Sequence, residues 1–498
     1  MLKKNHFINS SRTVWGLAVS ILVVGHLLGA CFSFGFHQPD EHFQIWEWAN
    51  YFLGLSQTNQ NLPWEYTTQI RPWFQPLFHA GFMQLFIKLG IFDPFSTAFF
   101  FRCLYACLNV LGLITLFKAV QKRFGWSDHW LIVISLFWFM PYLHVRTSSE
   151  NLAGILLTFA FALLLNEKKL CTTGFFFGLA FLARYQIALG LAGMAAYLIY
   201  RDRRITADHV RLFVGFCLAL ALGAILDRIG YGNWVFTPYR YFQVNLLQGV
   251  AATYNPYPWY QYFIWLAELN PFLSLPLLFG ITLFFRNPRS NRLLPMAVFV
   301  GTFFLIHCLI ANKEYRFLFP VLNLVPFIAV AGLQGSFPLT FANILNRPGF
   351  WICLVFFNVP AFMISTLHGA SPEPLWALET AHRLAKKDAI WFSNFDYNAG
   401  NTFQYYKLSN HSVVTFEDAQ GLSTLLQSYP PTKVLIRGKL DDPKITELLN
   451  LLESHRCIAI ASAYPQWLYS LHSRVTAIRR IPYQALFDCS YSQKSNKS

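Results

Sequence analysis

The sequence predicts an α-helical polytopic membrane protein of about eleven transmembrane helices, with interfacial helices in its first outer loop and a small C-terminal α/β domain. Three observations carry that prediction. The 498 residues are 55% hydrophobic and 18% aromatic, with a mean hydropathy of +0.36, too apolar for a soluble chain of this length. Long apolar runs recur up to residue 367, and basic residues gather in the short turns between them. Beyond residue 368 the sequence becomes polar, with short β-branched runs alternating with helical periodicity.

The first apolar run follows Lys3, Lys4 and Arg12 and extends over 14–36, long enough to span a bilayer and lacking a cleavage site. We read it as an uncleaved first span with a cytoplasmic N-terminus. Further spans are expected at 96–119, 129–145, 150–166, 171–186, 188–200, 209–227, 265–285, 293–311, 315–334 and 350–367. Alternate crossing then places Lys118-Lys122-Arg123, Lys168-Lys169, Arg201-Arg203-Arg204 and Arg286-Arg289-Arg292 on the cytoplasmic side. That count depends on splitting 171–200 into two spans near Arg184 and Gln186.

In the first outer loop, 40–54 forms a helix capped by Asp40 and lying on the membrane surface, and a second such helix covers 74–90. Ser-Pro-Glu-Pro at 371–374 marks the boundary between a membrane domain, 1–367, and an extracytoplasmic α/β domain, 368–498. Strands are expected at 389–393, 412–416, 433–437 and 457–463, and helices at 375–387, 418–428 and 442–455. The net charge of +15 is spread over membrane-flanking turns, so it does not indicate nucleic-acid binding. Seven of nine cysteines lie in apolar stretches without metal-ligand spacing; Cys457 and Cys489 either pair or stay free.

The chemistry concentrates between Gly35 and Pro76, where four carboxylates (Asp40, Glu41, Glu47, Glu65), Arg71, two histidines (with His79 just beyond) and four tryptophans interrupt the apolar pattern. Asp40 and Glu41 are adjacent, so one can activate a hydroxyl while the other positions or caps; Asp40 leads. Lys313-Glu314-Tyr315-Arg316, with Arg146 and Arg184, suits a phosphate group, or forms an interfacial salt bridge. Trp234, Tyr239 and Trp259 belong to a loop of rings and amides suited to sugar faces. The sequence contains no Walker loop, no HExxH and no outward-facing Asp-x-Asp, so neither a metal nor another cofactor is expected, and a lipid-phosphate donor fits better than a nucleotide sugar.

These residues carry a resemblance. Pro39-Asp40-Glu41 with Gln44 and Glu47, Trp64-Glu65, Ile70-Arg71 and Pro76, Arg146-Thr147 with Ser149, Trp234 to Tyr239, and Lys313 to Phe317 with Pro320 resemble, in order, the motifs of the glycosyltransferase family 22 mannosyltransferases of the GT-C superfamily. The position before Lys313, often histidine in that family, is Asn312 here. The resemblance implies a GT-C fold and metal-free, inverting transfer of mannose or a related hexose from a polyprenyl- or dolichyl-phosphate donor to a lipid-linked glycan. Asp40 or Glu41 would be the base and Lys313, Arg316, Arg146 and Arg184 would hold the donor phosphate. Gln44, Glu47, Trp64, Glu65, Arg71, Trp234, Tyr239 and Trp259 would contact substrate within the bilayer. Short loops favour a bacterial inner membrane, with the endoplasmic reticulum as the alternative. A transporter or a non-catalytic subunit for lipid-linked sugars is the competing reading; a transporter would show two matching halves, and no internal repeat is present.

Overall fold

In the computed structural model, the described residues are 2–56, 62–167, 169–269, 271–286, 293–337, 343–367, 369–370, 375, 379, 390–394, 404–406, 412–428, 433–463 and 483–489. They fall in two compact units. One comprises Met1–Gly54, Leu62–Phe92 and Ser96–Leu367; the other comprises Leu55–Asn61, Asp93–Phe95 and His368–Ser498.

The first unit is helical. Among the described residues, five helices are long and apolar enough to cross a membrane: Arg12–Phe32 within Leu2–Phe32, Pro94–Phe124, Ser149–Asn166, Ala207–Tyr231 and Pro348–Thr366. The expected split of 171–200 is present as Leu170–Ala183 and Ile187–Asp202, separated at Arg184–Gln186. Two expected spans are broken instead. The first, 129–145, forms His129–Ser135 and Phe139–His144. Pro141 cannot donate to the Phe137 carbonyl and its ring crowds it, so the chain reopens before the second helix. In 265–285 the helices Gln261–Leu269 and Pro271–Arg286 flank residue 270, which lies outside the described residues. The second, 315–334, forms Tyr315–Leu322 and Val325–Ser336, bent by 59°, with Pro326 disrupting the turn that begins at Leu322. Lys168, Arg289 and Arg292, expected in cytoplasmic turns, lie outside the described residues.

The first-loop helix differs from expectation in its surroundings. Pro39–Glu41, a π-helical turn His42–Trp46 and Glu47–Phe52 follow one another, but Glu41, His42, Gln44, Ile45, Trp46, Glu47, Trp48, Ala49 and Asn50 are all buried. The helix is packed into the protein on nearly every side rather than laid open along one face. Some of its buried polar groups find partners within the protein: His42 pairs with Glu47 at 2.7 Å, and the Trp46 indole donates to the Thr147 hydroxyl at 3.1 Å, whereas the Trp48 indole and the Asn50 amide nitrogen have none among the described residues. The helix start is occupied by Gln38 and Pro39 with no side-chain cap, so Asp40 is free of the capping role expected for it. The second loop helix is observed as Phe74–Lys88.

In the second unit a sheet runs in the order β2-β1-β3-β5-β4, where β1 is Ile390–Ser393, β2 Ser412–Thr415, β3 Lys433–Gly438, β4 Ile458–Ser462 and β5 Tyr483–Asp488. The first three strands are parallel; β5 inserts antiparallel between β3 and β4. The sequence pattern anticipates β1 to β4 but not β5, whose alternation is short. Helices Ala419–Ser428 and Pro443–Ser454 supply Leu422, Leu448 and Leu452 to a core with Phe392, Val434, Ile436 and Ala485. Cys457 and Cys489 are disulfide-bonded. The 371–374 boundary and most of the helix expected at 375–387 lie outside the described residues.

Candidate active site

Residues distant in sequence bring a mixed-charge cluster together in the helical unit. Asp40, at the second position of the loop helix, has a carboxylate oxygen 2.7 Å from an Arg316 guanidinium nitrogen. Arg316 leads the bent 315–336 segment and also donates to Glu314 at 2.7 and 3.2 Å. Its Nε stands 3.7 Å from Glu150, which lies 2.9 Å from Arg184 at the break between two helices. On the loop side, Gln44 donates to Glu65 at 2.9 Å, Arg71 is 3.8 Å from Glu65, and the Arg71 guanidinium lies 5.6 Å from the Tyr241 ring centre. His37, Gln38, Glu41, Ser148, Glu150, Arg316 and Phe319 line a narrow cleft next to this cluster.

The two adjacent carboxylates live in opposite environments. The Asp40 side chain is 34% exposed. Burial raises its pKa, but the nearby charges of Arg316, Arg71 and Arg184 outweigh that and hold the carboxyl below its usual range. Glu41 is 3% exposed. Its oxygens accept the His37 N–H at 3.0 Å and both the backbone N–H and hydroxyl of Thr147. Burial pushes its pKa up despite Arg146 and those bonds. Glu65 is raised too, first by burial and further by Asp40, against the pull of Arg71. The His37 imidazole, bonded to the Tyr142 hydroxyl at 2.7 Å, is pushed down to about 4 by burial and by Arg146 and Arg316, and is neutral near pH 7.

Several expected ligand contacts are engaged elsewhere. Arg146 is fully buried and donates to the carbonyls of Ser33, Gly35 and Tyr142 and to the Ser33 hydroxyl, so it holds the exit of the first span. The Lys313 ammonium is buried against the carbonyls of Ile310 and Tyr257. Both are occupied with backbone, because a buried cation must satisfy its donors locally. Glu47 is taken by His42. Trp64, Trp234, Tyr239 and Trp259 are 38%, 70%, 57% and 62% exposed, and no bond joins them to the cluster.

The structure adds Glu150, Tyr241 and Asp227 to the candidates. Glu150 and Asp227 carried a usable signal, since each is an acid within or at the start of an apolar helix. Tyr241 had none, being one ring among many. Among the described residues no group of three or more His, Cys, Asp or Glu side chains is arranged to hold a metal.

Comparison with known proteins gives a consistent assignment. The profile of the Alg9-like mannosyltransferase family matches residues 17–390. The chain is 26% identical over 301 residues to GPI alpha-1,2-mannosyltransferase 3 of Bos taurus, covering 59% of this chain and 53% of that protein. To the Homo sapiens protein of the same name it is 25% identical over 300 residues, covering 59% and 52%. To GPI mannosyltransferase 3 of Yarrowia lipolytica it is 27% identical over 339 residues, covering 64% and 62%. The matches span about half the length of these animal relatives. A solved structure of ArnT from Cupriavidus metallidurans bound to undecaprenyl phosphate is similar with a TM-score of 0.49 and 12% identity, covering 98% of each chain.

Proposed function

Because the chain belongs to the Alg9-like mannosyltransferase family, we propose that it is a membrane glycosyltransferase. In this reading it moves mannose, or a related hexose, from a polyprenyl- or dolichyl-phosphate donor to a lipid-linked glycan. One observation carries the reading: Asp40, a half-exposed carboxylate, lies against Arg316 and beside Arg71 and Arg184, while its neighbour Glu41 is closed off by hydrogen bonds. That pairs a proton acceptor with cations able to hold a phosphate.

In the proposed reaction an acceptor hydroxyl attacks the anomeric carbon, the carbon–oxygen bond to the lipid phosphate breaks, and Asp40 takes the hydroxyl proton. The configuration inverts because one displacement occurs. Positive charge develops at the anomeric carbon and negative charge on the leaving phosphate, which Arg316 stabilises with Arg184. Arg316 must loosen from Asp40 to do so, leaving the carboxylate more basic once the phosphate is bound. Arg146 and Lys313 shape the loop rather than touch the donor. The cluster would face away from the cytosol, opposite the basic turns.

The test is donor choice in proteoliposomes holding the full chain. Labelled mannose should pass from polyprenyl-phosphate mannose to an extracted glycolipid acceptor, with the anomeric configuration inverted. Equal or better transfer from a nucleotide-linked mannose would reject the lipid-donor reading.

A further inference from the structure

A carboxylate inside an apolar helix is costly unless its oxygens are satisfied, and Asp227 is such a group, 2% exposed in Ala207–Tyr231. Its partners come from two other segments. Oδ1 accepts the Trp73 backbone N–H at 2.7 Å, and Oδ2 accepts the Thr237 hydroxyl at 2.6 Å. The Thr237 oxygen is also hydrogen-bonded to the Tyr185 hydroxyl. One turn on along the same helix face, Tyr231 donates its hydroxyl to the Arg71 carbonyl at 2.7 Å. Between them stands Gly230, where a Cβ would fall 2.0 Å from the Trp73 indole. Glycine there lets the indole lie against the helix and brings the Trp73 N–H to Asp227.

One helix end therefore holds three segments, and each bears a group of the charged cluster. Arg71 sits on the turn held at Arg71 and Trp73. Tyr241, under the Arg71 guanidinium, sits on the Thr237–Phe242 helix. Arg184, paired with Glu150, immediately precedes Tyr185. Gln186 closes the set by donating to the Tyr241 hydroxyl at 2.7 Å. Asp227 meets none of the reacting groups itself; both its oxygens are taken by uncharged donors.

We propose that Asp227, acting through Thr237 and the Trp73 amide, is a positioning residue that sets Arg71, Tyr241 and Arg184 around Asp40. The role rests on the transfer reading above. A bare core carboxylate would need only to be satisfied. This one instead joins the three segments that carry Arg71, Arg184 and the Tyr241 ring.

The experiment uses the full chain in proteoliposomes and compares Asp227→Ala, Thr237→Val and Thr237→Ser, each alone and with Arg71→Ala. Misplacing a substrate-binding cation by about 1 Å costs roughly 10²-fold, so Asp227→Ala and Thr237→Val should lower transfer by roughly 10- to 100-fold, while Thr237→Ser, which keeps the hydroxyl, restores most of it. In the Arg71→Ala background the Asp227 and Thr237 changes should cost clearly less than in the parent, because one of the groups they position is gone. Fully additive losses, or equal transfer by the Val and Ser variants, would overturn the proposal. Should Asp227→Ala not fold, the Thr237 pair decides the matter alone. Amide exchange over 69–74 supplies a second readout: protection should fall in Asp227→Ala and Thr237→Val and persist in Thr237→Ser. A parent protein that transfers no sugar sinks the transfer reading, and unchanged exchange at 69–74 then sinks the clamp as well.

Discussion

Two polar regions lie inside the helical unit, and they differ in kind. Around Asp40 the groups are carboxylates and guanidinium ions, some separations are loose at 3.7 and 3.8 Å, and one carboxylate keeps an exposed edge. The other region is a chain of imidazoles and amides. His26 bonds His144 at 2.7 Å, His144 donates to Asn323 at 2.7 Å, Asn323 to Asn109 at 3.1 Å, and Asn109 to Asn151 at 3.0 Å. It joins Leu2–Phe32, Phe139–His144, Pro94–Phe124 and Ser149–Asn166 at the bend of the 315–336 segment, and all five side chains are buried. A closed network with every bond near ideal length is interhelical glue. An open, unevenly matched one has capacity left for a ligand. Polarity at membrane depth is therefore not by itself a sign of function; charge with an accessible edge is.

The sharpest way to break that contrast is Asp40→Asn. It removes a proton acceptor but no cap, since the helix start uses none from Asp40. Transfer should fall by about 10²–10⁴-fold with nearly parental thermal stability, whereas Glu41→Gln, disturbing a buried carboxylate held by His37 and Thr147, should lower stability first. Near-parental transfer by Asp40→Asn beside an inactive but folded Glu41→Gln would move the base to Glu41.

Arg316→Ala should follow, with a loss of roughly 10²–10³-fold by analogy with removing one transition-state donor. It also carries a signed pH prediction. Arg316 is the foremost group pulling the Asp40 pKa down, and burial pulls it up. Without Arg316 the folded pKa rises, so the acid limb of the pH–rate profile for the residual activity should move to higher pH. An unmoved acid limb would mean that Asp40 does not govern it.

The smallest expected effect on turnover comes from the amide network. Asn323→Leu leaves His144 and Asn109 with unmet partners, at a cost of about 1–3 kcal/mol per buried group. Thermal unfolding should come earlier, while turnover per folded molecule stays within a few-fold of the parent. A loss like that of Arg316→Ala with unchanged stability would erase the distinction between the two regions.

Much of this protein is legible in its residues taken in order. Apolar length identifies the long helices, the polar interruption at Arg184–Gln186 splits one run in two, and Asp442 caps the helix that follows it in the α/β unit by accepting the Lys444 N–H at 3.0 Å. These are properties of neighbours a few residues apart, which periodicity records. Sequence favours Asp40 over Glu41 but does not show how differently the two are surrounded, since adjacent carboxylates look alike until Thr147, 106 residues away, bonds to Glu41. Nor could the sequence tell that Arg146 and Lys313 would be consumed by carbonyls, that the loop helix would be buried, or that Asp227 would reach Trp73 across 154 residues. Sequence alone determined where the apolar helices and the charges are. Packing decided which charges keep an open edge, because exposure and ion pairing depend on what the distant chain places alongside.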